Sequence, residues 1–388
     1  MIARHFESGG WINLDVEGDR IASATPVEGP SDVLDGDDWV APAFCDLQVN
    51  GRLGVSFSDP TLTVEQVAAI VRSQAPLGTA RLCPTLITAP FADMLHGVRT
   101  IAAACERFPD VAKMVVGIHL EGPSISEVDG YRGAHPLGAV RGPDWEEFHQ
   151  LREASGNRIA IVTLAPERPG AIDLLRRITS EGVVVALGHT AADSSTIRAA
   201  VDAGARLSTH LGNGIASTLP RHPNPIWDQA SEDGLWASLI ADGHHLGPST
   251  LKALVRAKSP ERVILVSDAS PLAGLPPGRY GPWEVEASGR VVVAGTPYLA
   301  GANRGIEAGV DHLIRWVGLT PAQAIAAASV HPARVLAIGR GRERPSSWPD
   351  PGEPANLIRY RLATNPEGPR FVLQSTCVDG TWFDNDVC

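Results

Sequence analysis

The sequence predicts an α/β fold: a (β/α)8 TIM-type barrel with a small β-sandwich lobe formed by both termini. Three observations carry this expectation. Eight apolar runs alternate with helix-like segments between residues 44 and 340. Alternation on that scale argues for a parallel sheet, and eight units argue for a closed one. Several of the runs end in His, Glu or Asp, and the C-terminal strand ends are where a parallel barrel places its chemistry. The stretches before and after the alternating region share one character, short β segments between turns. An open doubly wound sheet is the rival architecture. It would carry a GxGxxG turn after its first strand, and none follows here.

The bulk numbers narrow the class. The chain has 388 residues, 44% of them hydrophobic, enough for one large domain and a smaller lobe. Net charge is −11 and the pI about 5.5, which argues against nucleic acid or an anionic membrane as partner. An anionic small molecule stays open, because one local Arg can hold a phosphate. Cys45, Cys83, Cys105, Cys377 and Cys388 are odd in number, widely spaced and free of any CxxC. They read as reduced thiols, not as a disulfide frame. The N-terminus has no apolar leader and the chain no apolar run of membrane-spanning length. The expectation is a soluble, cytoplasmic protein.

The elements follow in order. Residues 1–43 supply the first part of the lobe, where Trp11, Ile12, Asn13, Leu14, Asp15 and Val16 alternate before a turn at Gly18 and Asp19. The barrel is expected over 44–340 and the rest of the lobe over 341–388. The run at 39–51 reads as the first core strand, ending near Gln48 to Asn50. Helix follows at 63–77, on Val64, Val67, Ala68 and Val71, then strand at 80–86 and helix at 90–106. The strand at 114–121 leads into a Gly-rich loop, and a helix begins near Pro143. Strand 159–164 precedes a helix at 169–181. Strand 183–187 precedes a helix opened by Asp193 and Ser194. Strands at 206–210, 236–242 and 262–268 complete the eight. Helices at 305–317 and 321–338 come next. The basic, Gly-containing stretch at 339–344 reads as a solvated linker rather than a phosphate cradle.

Four strand ends carry candidate ligands or acid–base groups: Glu121, His189, His210 and Asp268. Imidazole nitrogens with a carboxylate oxygen suit one divalent metal, with Zn2+ first and Fe2+, Co2+ or Mn2+ as alternatives. Three protein ligands with an open position is the catalytic pattern, since the vacant position holds a water. Asp268 would then take that water's proton and hand it to a leaving nitrogen. Singly, each residue has a plainer reading. A lone strand-end His is more often a hydrogen-bonded structural residue, and Glu121 before Gly122 and Pro123 could satisfy a turn. His119, two residues before Glu121 on the same side of its strand, reads either as a support for Glu121 or as a satisfied core histidine. His244 reads as structural. The nine Trp are scattered and read mostly as packing.

At this point the chain resembles a known family. HLEGP at 119–123, LGHT at 187–190, THLGN at 209–213, ADGHH at 241–245 and SDA at 267–269 are similar to N-acetylglucosamine-6-phosphate deacetylases of the amidohydrolase superfamily. APAFCD at 41–46 and PANL at 354–357 extend the resemblance nearly end to end. It implies hydrolysis of N-acetylglucosamine 6-phosphate to glucosamine 6-phosphate and acetate. It implies Glu121, His189 and His210 as metal ligands, Asp268 as acid–base residue and His245 as its catalytic helper. Substrate contacts would come from Ala134, His135, Asn213, Gly214, Arg221, His245, Leu299, Ala300 and Gly301. Arg221 would reach the sugar phosphate in its own or a neighbouring subunit's site, which suits a homodimer. Two departures bear on this. Where many amidohydrolases carry His-x-His, this chain has Gln48 and Asn50, poor metal ligands, so a second metal is not expected. Lys113, Lys252 and Lys258 are the only lysines, none at a strand end, which argues against a carbamylated bridge. Gly214 and the loop through Asn303 and Arg304 differ from the family pattern, which bears on the substrate more than on the chemistry. The rival functions are an amidohydrolase for another N-acyl or cyclic amide, and an inactive sugar-phosphate binder.

Overall fold

The β-branched and Leu-rich runs become eight parallel strands: β1 Phe44–Val49, β2 Thr79–Ile87, β3 Ile118–Glu121, β4 Ile159–Leu164, β5 Val184–Leu187, β6 Leu207–Ser208, β7 Trp236–Leu239 and β8 Val263–Leu265. The computed structural model describes residues 1–385 apart from 31, 33–35, 297, 340–347 and 367. The strands pair in chain order from β1 to β8. A parallel bridge between Val49 and Ala269 brings the two ends together, with Asp268 N–H on Gln48 O at 3.0 Å and Asn50 N–H on Ala269 O at 2.9 Å. This is the expected barrel. The register places Glu121 beside Ile87 and Thr163, and Leu187 beside Leu164 and Ser208. The chemistry-bearing residues therefore emerge at one rim.

Inside the ring, Cys45, Leu47, Cys83, Ile161, Ala186, Trp236 and Ile264 form an apolar plug. Outside it, a larger cluster joins strands to helices. Local sequence starts those helices. Thr63 caps Val64–Arg72 in a capping box with Gln66, Asp144 caps Trp145–Ala154 and Asp193 caps Ser194–Asp202.

Both termini build one seven-stranded mixed sheet. Trp39–Pro42 sits in its middle, parallel to Ile2–His5 and antiparallel to Leu357–Ala363. The sheet curls on itself. Gly380 lies so close to Gly18 that a Cβ there would come within 1.9 Å of the Gly18 carbonyl oxygen. Its two halves enclose Leu14, Ile21, Val40, Leu357 and Cys377. Asp311 ties the barrel to the lobe by accepting Phe371 N–H at 3.0 Å.

Three expectations need correction. The run at 39–51 is two strands, because Pro42 offers no N–H and Ala43 N–H goes to Asn356 O of the lobe at 3.1 Å. The strand expected at 114–121 is only Ile118–Glu121. Pro109 opens a helix, Pro109–Met114, that uses up the first of those residues. The last helix breaks at Ser329 (φ −130°, ψ −68°), since Pro332 lacks the N–H that would bond the carbonyl of Ala328. After β8 the structure adds elements beyond those expected. Gly278–Tyr280, Trp283–Val285 and Val291–Val293 form a small antiparallel sheet. It returns through Ala302, whose N–H donates to Asp268 O at 2.9 Å. Residues 340–344 of the expected linker, and Cys388, lie outside the described residues.

Candidate active site

The site begins with backbone geometry. His189, His210 and Asp268 all sit at positive φ, 50°, 30° and 51°. Such conformations cost roughly 1–3 kcal/mol each and collect at functional sites. Each is held in place: Ser126 N–H bonds His189 O at 2.9 Å, His210 N–H bonds Ser238 Oγ at 2.7 Å, and Asp268 N–H bonds Gln48 O. Three apolar strands thus end in a sharp turn that swings a polar side chain over the barrel mouth.

There the side chains converge. Glu121 Oε1 lies 2.9 Å from His210 Nε2 and 3.2 Å from His189 Nε2. One ligand atom from each of the three falls within 4.8 Å of the others, and all three residues are buried. His189 Nδ1 faces the Tyr131 carbonyl at 3.0 Å. A carbonyl only accepts, so Nδ1 carries a proton and Nε2 is the nitrogen left facing Glu121. Burial pushes the Glu121 carboxyl up, but hydrogen bonds from His189 and His210 outweigh it and hold it well below the usual range. This donor set fits a divalent cation: buried, anionic and mixed N/O.

Asp268 stands beside the trio. Its Oδ1 accepts from Asn50 Nδ2 at 2.7 Å and from Gln48 Nε2 at 3.0 Å. Gln48 Nε2 also donates to Glu121 Oε1 at 2.9 Å. Burial first, then the Glu121 charge, raises the Asp268 carboxyl to about 6. His245 is fixed by Asp242, Nδ1 to Oδ2 at 2.9 Å. Burial raises Asp242, but the His245 hydrogen bond prevails and brings it to about 2. His135 puts Nδ1 2.9 Å from Thr88 Oγ1 and Nε2 3.2 Å from His189 Nε2. His119 does not reach the site: Nδ1 meets Leu47 O at 3.0 Å and Nε2 meets Thr163 Oγ1 at 2.7 Å. It is a satisfied core histidine, and burial lowers it to about 4.

A cavity of about 290 Å3 opens over this cluster. Glu121, His189, His210, His245 and Asp268 line it, with Asn50, Ala134, His135, Asn213, Gly214, Leu299, Ala300 and Gly301. Gly214, at φ 58°, backs His189 so closely that a Cβ would fall 2.7 Å from Nδ1. A larger residue does not fit without moving the ring. Arg221 and Arg304 are exposed and do not line the cavity. Among the described residues that do, there is no Lys or Arg. Sequence reasoning missed the far wall, where Trp283 of the sheet after β8 and Tyr298 just beyond its last strand line the cavity. Three-residue strands are too short to show a period, so no signal marked that wall.

A parallel barrel with Glu, two His and a buried Asp converging at its strand ends defines an amidohydrolase-type barrel. No protein-family model matches the chain. Among curated proteins, the N-acetylgalactosamine-6-phosphate deacetylase of Escherichia coli O157:H7 is 35% identical over 335 residues, 85% of this chain and 87% of that protein. The N-acetylglucosamine-6-phosphate deacetylase of Homo sapiens is 36% identical over 314 residues, covering 78% and 76%. The crystal structure of N-acetyl-D-glucosamine-6-phosphate deacetylase from Mycobacterium smegmatis superposes with a TM-score of 0.81 at 30% identity, over 96% of this chain and 95% of that one. The chain belongs to the N-acetylglucosamine-6-phosphate deacetylase family of the amidohydrolase superfamily.

Proposed function

We propose that this chain hydrolyses the acetamide of an N-acetylhexosamine 6-phosphate, releasing acetate and the free amine. N-acetylglucosamine 6-phosphate is the first substrate and its galactosamine epimer the second, since relatives named for each align over most of the chain. The Mycobacterium smegmatis relative is also known as a variant in complex with N-acetyl-D-glucosamine-6-phosphate. The observation that carries the reading is the meeting of Glu121, His189 and His210 with Asp268 at one cavity.

Glu121, His189 and His210 would hold one divalent metal, Zn2+ before Fe2+, Co2+ or Mn2+. When bound, it would lower the pKa of a water and polarise the acetyl carbonyl. The chain's own residues do the rest. Asp268, held by Asn50 and Gln48, takes the water's proton and returns it to the departing nitrogen. His245, fixed through Nδ1 by the ionised Asp242, lines the cavity and stabilises the developing oxyanion. His135, Asn213, Gly214 and the 299–301 segment bound the space for the sugar. With no Lys or Arg among the described residues of the cavity wall, we assign the phosphate to Arg221 of a second copy in a homodimer. Cys45, Cys83, Cys105 and Cys377 are all buried, and we place the chain in a reducing compartment, the cytoplasm. No described helix is long and apolar enough to cross a membrane.

The test is acetate release by the Zn2+-loaded chain from the 6-phosphates of N-acetylglucosamine and N-acetylgalactosamine, beside the unphosphorylated sugars. Turnover of a phosphorylated sugar alone, with a raised KM in Arg221→Ala, is the expected result. Turnover of N-acyl amino acids or cyclic amides in its place would overturn the substrate.

A further inference from the structure

We infer that Gln48 and Asn50 are positioning residues that lock the Asp268 carboxylate and leave Oδ2 as the oxygen that takes the proton. The inference rests on Asp268 being the base in the proposed reaction.

The hydrogen-bond pattern carries it. Gln48 is 1% exposed and Asn50 9%. An amide nitrogen has two protons, and Gln48 spends them on two carboxylates from different strands: Asp268 Oδ1 at 3.0 Å and Glu121 Oε1 at 2.9 Å. Asn50 Nδ2 adds a bond to the same Asp268 Oδ1 at 2.7 Å. Both N–H groups on Asp268 therefore fall on one oxygen, which fills its two lone pairs. Among the described residues Oδ2 has no hydrogen-bond partner. The carboxylate cannot swap its oxygens without giving up two bonds in a buried place, where unmade bonds are costly.

The main chain doubles the clamp. Asp268 N–H donates to Gln48 O, and Asn50 N–H to Ala269 O. Ser267 Oγ reaches Gln48 O at 3.3 Å. Asp46 completes the frame by accepting Gln48 N–H at 3.2 Å and Ser267 N–H at 3.1 Å. The residues that hold the side chain of Asp268 thus also hold its left-handed backbone. They further bring two like-charged carboxylates, Glu121 and Asp268, onto one donor group without adding a charge. An imidazole at position 48 could not do this, since one ring nitrogen donates once. The amides are the functional residues at this strand end, rather than vacated ligand positions.

The experiment uses the full Zn2+-loaded chain and reads kcat, KM and metal content for Gln48→Ala, Asn50→Ala and Asp268→Asn, with the Gln48→Ala/Asp268→Asn double variant. Gln48→Ala is expected to lower kcat on the order of 100-fold, the scale of a misplaced catalytic group. KM and metal content should stay near wild type. Asn50→Ala should lose about tenfold in the same manner. On the Asp268→Asn background, Gln48→Ala should cost nothing more, because it acts through Asp268. A Gln48→Ala loss that persists in full on that background, or that follows loss of metal, would overturn the inference. So would an unchanged kcat. An active Asp268→Asn enzyme would instead sink the choice of base itself, so the two failures are distinguishable.

Discussion

Below the rim, the barrel is filled by Leu47, Cys83, Ile161, Trp236 and Ile264. At the rim, the ends of β3, β5, β6 and β8 present Glu121, His189, His210 and Asp268. Burial does not separate the two regions: Leu47 is 1% exposed, Glu121 2%, Ile161 0% and Asp268 8%. What separates them is how the buried surface is satisfied. The plug needs only shape and gains from leaving water. The rim needs a partner for each donor and acceptor, and it holds three residues at positive φ. One end of the ring stores stability and the other spends some of it on geometry.

That contrast can be broken from either side. The largest effect belongs to the rim. Glu121→Gln removes the one anionic group of the proposed metal site, so metal content should fall toward zero and acetate release by about 1,000-fold or more. Circular dichroism should show the fold retained. A Glu121→Gln protein with full metal would end the ligand assignment. The plug should behave in the opposite way. Ile161→Ala should lose roughly 2–5 kcal/mol in denaturant unfolding, with kcat per folded molecule unchanged. A large drop in kcat there would mean that the two regions are not separable. In the lobe, Gly380→Ala must move the Gly18 backbone and should cost about 1–3 kcal/mol, again with activity intact.

The smallest effect is a pH dependence of stability. Burial raises Asp46 from 3.8 and Glu307 from 4.5, each to about 7. The folded chain keeps protons there that the unfolded chain would release. The stability these groups contribute is full below about pH 4 and is lost as pH rises through about 7. Tm should therefore fall between pH 5 and 8, and Asp46→Asn should flatten the slope. A slope unchanged in Asp46→Asn would remove that residue from the explanation.

The strand ends were legible because an ionisable residue closing a β-branched run is costly unless it is used, as at Val266, Ser267, Asp268. The alternation that gave the barrel was legible for the same reason: buried strands read as unbroken apolar runs. Other features depend on contacts that sequence spacing does not encode. Spacing put His119 on the side of Glu121, but only the fold shows Leu47 O and Thr163 Oγ1 taking both its nitrogens. The amides at 48 and 50 read as missing ligands, since their bonds to Glu121 and Asp268 cross 73 and 220 or 218 residues of chain. Arg221 matched a family position, yet within one chain it stays out of the cavity.

The most direct measurement is acetate release from N-acetylglucosamine 6-phosphate by Zn2+-loaded Asp268→Asn, with metal content determined on the same sample. The expected result is full metal occupancy with kcat lower on the order of 1,000-fold, as when a general acid–base group is removed. Metal-replete Asp268→Asn releasing acetate at close to the wild-type rate would contradict the account.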